Sequence, residues 1–120
     1  MDYMILIHAS GDHEPEMPDA PGFEENMAAW LAFNQRLMEG GHWIAGASLQ
    51  PVTTATTVRK ASGVRTIVDG PFAETKEQLG GFYLISAADL DEAIELATGI
   101  PMPDGSIEVR PVAFRADAPR

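Results

Sequence analysis

The run Tyr3–His8 (YMILIH) is apolar on both of the faces that an extended strand would present. Side chains alternate along a strand, so Tyr3, Ile5 and Ile7 point one way and Met4, Leu6 and His8 the other. Gly81–Ser86 repeats the pattern, with Phe82 and Leu84 opposed to Tyr83 and Ile85. An antiparallel sheet with one wet face alternates apolar with polar residues. These strands do not, so each face needs a cover, and no other feature narrows the fold as much.

The remaining segments supply the first cover. Met4–His8 reads as a buried strand. Ala9–Gly22 is rich in proline, glycine and acid, which predicts a loop longer than most. Phe23–Glu39 has helical spacing, with Phe23, Met27, Trp30, Leu31, Asn34, Leu37 and Met38 on one stripe. Trp30, Met27 and Phe33 are assigned to the core. Glu24 and Glu25 suit the positive end of the helix, and Gly40–Gly41 ends it. His42–Leu49 is a second strand. Thr56–Lys60 and Val64–Asp69 flank Ala61-Ser62-Gly63, the pattern of a β-hairpin with glycine at positive φ. Asp89–Thr98 is a shorter helix, with Asp89 and Glu92 at capping-box spacing and Gly99 and Pro101 as its stop. Ser106–Phe114 is the last strand, followed by a loose tail.

With the hairpin set aside, the order is β-α-β followed by β-α-β. That is a ferredoxin-like α+β sandwich (βαββαβ with an inserted β-hairpin), one domain over 1–120, with both helices on one sheet face. The other face then needs a second copy. The expectation is a homodimer, packed sheet on sheet or closed edgewise into a dimeric α+β barrel.

Charge removes several functions. The chain has net charge −10, and its eight lysines and arginines are scattered, with only Arg59 and Lys60 adjacent. Such a surface disfavours nucleic acid and anionic membranes as partners. There is no cysteine, so thiolate metal sites and cysteine nucleophiles are excluded. The N-terminus lacks a signal-peptide pattern and no run reaches transmembrane length, which predicts a cytoplasmic protein. No phosphate-binding glycine loop or nucleophile elbow is present, and no cofactor is expected. The stretch HASGDHEPE gathers histidines and acids, but at no regular zinc spacing, and no metal is expected.

The candidate site residues are few. Asp69-Gly70-Pro71 is first a turn signal, and Pro71 could open a short helical turn reaching Lys76. Asp69 is also a carboxylate held at a strand end, able to act as a base. His8 ends an apolar strand and has the pKa range of an acid–base catalyst. His8 and Asp69 are therefore the catalytic candidates. Lys76, Tyr83 and Arg110 are the ligand-binding candidates, the two cations for an anionic group and Tyr83 through its hydroxyl. Glu74, Lys76 and Glu77 also read as a solvated charged face, and Arg110 can pair with Glu108 or with an acid across the dimer.

The run DGPFAETKEQLGGFYLI, with LQPVTTATTVR before it and DLDEAIELA and IEVRPV after it, resembles the YCII-related family, and more narrowly its DGPF-motif branch. The resemblance implies a ferredoxin-like fold paired into a dimeric α+β barrel. It also implies a proposed histidine–aspartate pair beside the cleft, but the matching regions hold Trp30 nearest the histidine and Gln50 near the aspartate, so that pair is not carried over. DGPF-type relatives are associated with extracytoplasmic-function sigma factors. Two functions remain open. One is binding of a small apolar or aromatic molecule in the dimer cleft, with cofactor-free acid–base chemistry. The other is a non-catalytic accessory or regulatory role through protein contacts.

Overall fold

The computed structural model describes residues 1–10, 19 and 21–116. Six strands and two helices follow in order: β1 Asp2–Ser10, α1 Phe23–Glu39, β2 Trp43–Ser48, β3 Thr56–Ala61, β4 Val64–Asp69, β5 Glu77–Ser86, α2 Leu90–Thr98 and β6 Ser106–Pro111. Four strands form one antiparallel sheet in the order β2-β5-β1-β6, and β3 and β4 form a separate two-stranded sheet. The mixed α+β architecture is compatible with a ferredoxin-like fold. Ala9 and Ser10 extend β1, and most of the rest of the loop expected over Ala9–Gly22, with residues 11–16 of the histidine–acid stretch, lies outside the described residues, as does the end of the tail.

Both helices pack on the sheet face that carries Tyr3, Ile5 and Ile7. The core joins these to Tyr83 and Ile85, to Phe33 and Leu37 from α1, and to Ala93 and Ala97 from α2. The helix stripe read from periodicity was too wide. Phe33 and Leu37 are buried, with Trp30 packed beside them, but Met27, Leu31 and Met38 are exposed. In a two-layer sandwich only one side of a helix meets the sheet, so apolar residues a third of a turn away stay outside.

The helix ends are built as their residues dictate. At the C-terminus of α1, Gly41 adopts φ 76°. The His42 amide then donates to the Leu37 carbonyl at 2.8 Å, and the Gly41 amide to Met38 at 3.1 Å. This pair of bonds is a Schellman closure. In α2, the Asp89 carboxylate accepts from the Glu92 amide at 2.9 Å, while the Glu92 carboxylate accepts from the Ala88 amide at 2.8 Å.

Strand β5 starts four residues earlier than its apolar run, and Pro71–Lys76 is irregular rather than a helical turn. The cause is pairing. Glu77, Gln78 and Leu79 are opposite Ser10, Ala9 and His8, whereas Ile7 is opposite Gly81. Gly80 is thus the extra residue of a β-bulge. Its neighbour Gly81 cannot carry a side chain cheaply, because a Cβ there would meet the Ala47 carbonyl oxygen at 2.9 Å. The double glycine therefore serves the sheet: it shifts the register so that His8 and Leu79 become direct neighbours.

Alternation along the strands leaves Met4 and Leu6 of β1 and Phe82 and Leu84 of β5 on the face away from the helices. Leu6 pairs with Phe82 and Met4 with Leu84. All four are half-buried within the single chain, and they form one apolar strip.

Candidate functional site

His8 lies at the end of that strip. On one side it is opposite Leu79, and on the other Ser106. Two positions along β6, Glu108 shares the same face, and its Oε1 is 3.8 Å from His8 Nε2. Glu108 in turn accepts hydrogen bonds from the Arg110 guanidinium, from Nε at 2.9 Å. The result is a row of imidazole, carboxylate and guanidinium across the edge of the sheet. Arg110 thus pairs with Glu108, one of the partners its sequence position offered.

An open groove of about 550 Å³ adjoins this row, lined by His8, Glu108, Ser106 and Ile107 on one side and Thr75, Lys76 and Glu77 on the other. The second wall is tied down by side chains that sequence reasoning did not single out. The Gln78 amide nitrogen donates to the Ala73 and Thr75 carbonyls, at 3.1 and 2.9 Å. The Ser106 hydroxyl donates to the Glu77 carboxylate at 2.5 Å. Lys76 is thereby presented on an anchored loop rather than a frayed one. Glu77 is half-buried at the start of β5, not part of a free charged face. The signal that could have revealed this wall is Gln78, a polar residue just ahead of the glycine bulge.

The other candidates lie elsewhere. Asp69 is exposed at the end of β4, opposite Thr56, and does not line the groove. The turn after it is fixed through Gly70, at φ 107°. The Gly70 amide donates to the Ala55 carbonyl at 2.8 Å, and the Thr57 hydroxyl donates to the Gly70 carbonyl at 2.7 Å. Phe72 faces solvent with the Arg59 guanidinium 5.9 Å from its ring centre. Tyr83 belongs to the helix-facing core. Its ring meets Phe33 and Trp43 edge-on, and its hydroxyl donates to Asn34 Oδ1 at 2.6 Å. Among the described residues, no cluster of histidines and acids is arranged to hold a metal. No helix among them is long and apolar enough to cross a membrane.

Burial pushes the Tyr83 hydroxyl up to about 12 from its ordinary value of 10.0. Above pH 10 the unfolded chain releases this proton while the folded chain keeps it. The contribution is therefore complete below about pH 10 and is lost as the pH climbs towards 12. Urea unfolding between pH 9 and 12 should show a falling stability, and Tyr83→Phe should flatten the Tyr83 part of that fall. At neutral pH the same substitution should cost about 1 kcal/mol, because Asn34 loses its donor.

Residues 1–114 match the YCII-related domain. The chain belongs to the YCII-related family. An uncharacterized protein of Rhizobium meliloti (strain 1021) is 47% identical over 94 residues, covering 76% of each chain. In this YCII-related chain Trp30 packs against the core and Gln50 is exposed beyond β2. Of the two sequence candidates for acid–base work, His8 lines the groove beside Glu108 and Asp69 does not.

Proposed function

We propose that this YCII-related chain, a member of the DGPF-motif branch, works as a homodimer whose apolar sheet faces enclose a cleft for a small apolar or aromatic anion. The sheets stack as in a dimeric α+β barrel. His8 is the acid–base group, Glu108 holds the imidazole in place from 3.8 Å, and Lys76 meets the anionic group of the ligand. The carrying observation is the position of His8, at the end of the strip of Met4, Leu6, Phe82 and Leu84 and 3.8 Å from Glu108. A histidine beside a carboxylate and next to an apolar surface is suited to moving a proton on a carbon acid without a cofactor. In that step His8 takes a proton from carbon, Lys76 offsets the enolate charge, and His8 returns a proton.

Phenylpyruvate in heavy water is a fitting probe, because it joins an aromatic ring, a carboxylate and an acidic methylene group. The protein should speed exchange of the methylene protons for deuterium and shift the His8 ring resonances saturably. His8→Ala should reduce the exchange by roughly 100-fold. With His8 unmoved by the probe and exchange no faster than in buffer, the proposal fails. The second reading, a non-catalytic accessory protein in the setting of extracytoplasmic-function sigma factors, then takes its place. It is favoured by Trp30 and Gln50 standing where the family's proposed histidine–aspartate pair would be.

A further inference from the structure

We propose that the β3–β4 hairpin is an arm that docks on a second copy of this chain, in the shallow apolar groove between α2 and the edge strand β6. The proposal rests on the dimer invoked above, but uses a different surface. Within Thr56–Asp69, every residue except Thr57 is exposed. Val58 and Ile67 form a cross-strand pair on one face at 56% and 55% exposure, with Val64 and Val68 exposed on the other. A two-stranded hairpin with no core is marginally stable in water. The radius of gyration, 16.3 Å, exceeds the roughly 14 Å of a compact chain of this length, as expected of a projecting arm.

The register also concentrates charge that looks dispersed in the sequence. Lys60 is directly opposite Arg65, and Arg59 opposite Thr66. Like charges placed directly opposite each other destabilise a strand pair unless an acid lies nearby. The hairpin carries net +2, so with −10 overall the rest of the chain carries −12. A second copy thus offers the complementary charge, whereas a nucleic acid would be repelled by the rest of the chain.

The seat has matching chemistry. Ile94, Ala97, Ile107 and Val109, with Thr98 as the one polar residue, line a groove of about 280 Å³. Leu90 and Ile94 are 46% and 47% exposed. Asp91 and Glu95, one position on from each, form the adjacent row on the solvent side of α2. The Val58–Ile67 pair fits the apolar groove, and Lys60 and Arg65 then reach Asp91 and Glu95. The topology agrees. The arm follows β2, and β2 and β6 are opposite edges of the sheet. A two-fold axis parallel to the strands lays β2 of one copy over β6 of the other.

The absence of cysteine makes the test clean. Ile67→Cys protein, isotope-labelled, is incubated with unlabelled Ile94→Cys protein until subunits exchange, then oxidised, and intact mass reads the products. The labelled–unlabelled disulfide should dominate. Adding Lys60→Glu and Arg65→Glu to the labelled chain should reduce it several-fold, and Asp91→Lys with Glu95→Lys in the other chain should restore it. No mixed disulfide, or a yield indifferent to charge reversal, overturns the proposal. Sedimentation of the unmodified protein separates the two ideas. A dimer without the mixed disulfide leaves the sheet-stacked cleft standing and removes the arm, whereas a monomer removes both.

Discussion

Leu6→Asp is expected to abolish the dimer while leaving the protomer folded. Leu6 lies mid-strip on the face away from the helices, opposite Phe82 on β5 and Glu108 on β6. It is only half-buried within one chain, so an aspartate there stays hydrated in the monomer. In a sheet-on-sheet dimer the same carboxylate would enter an apolar interface without a partner. An uncompensated buried charge costs about 3–5 kcal/mol, or roughly 150- to 4000-fold in dissociation constant. Sedimentation velocity across a concentration series measures the shift, and circular dichroism confirms the fold. A Leu6→Asp protein that dimerises as tightly as the parent would place the interface elsewhere and leave the His8 groove open to water.

Leu37→Ala is expected to be among the most damaging substitutions for stability. Leu37 is fully buried in the core cluster that also holds Ile5, Tyr83 and Ile85 of the sheet. Truncation removes apolar contacts and leaves a cavity that rigid strands on one side cannot fill, at about 2–5 kcal/mol. Its carbonyl also closes the helix end by accepting from His42, but that backbone bond survives the substitution. Leu31→Ala, six residues earlier on the same helix, should cost far less, because Leu31 is 59% exposed. Urea melts of the two variants give the comparison, and equal losses would contradict the placement of the core.

The contrast between Leu31 and Leu37 shows where sequence reading stopped. Both fit the apolar stripe of α1, and periodicity cannot say which third of the helix meets the sheet. The elements themselves were legible because their local chemistry was unambiguous. α1 runs over the residues expected, and the turn Ser62-Gly63 carries the positive φ that the hairpin required, at 50° and 80°. Pairing was not legible. Glu77–Leu79 looks like loop until Ser10, Ala9 and His8 are set opposite it, and only then does the double glycine resolve into a bulge.

The candidate site divided in the same way. His8 could be picked out from a single strand, because an ionisable residue ending an apolar run is locally conspicuous. Its neighbours Glu108 and Ser106 are about a hundred residues away in the chain, and only the β1–β6 register brings them together. Asp69, the more conspicuous carboxylate in the sequence, lies instead on the hairpin.

What the sequence by itself determined was the set of strands and helices, the helix stops, the hairpin turn, and the apolar character of both faces of β1 and β5. Each of these follows from alternation, spacing and backbone preference within a few residues. The tertiary structure alone decided which apolar residues were covered, that Lys60 stands directly opposite Arg65, and that His8 meets Glu108. Those outcomes depend on strand register, which is set by contacts between distant segments and leaves no mark within any one of them.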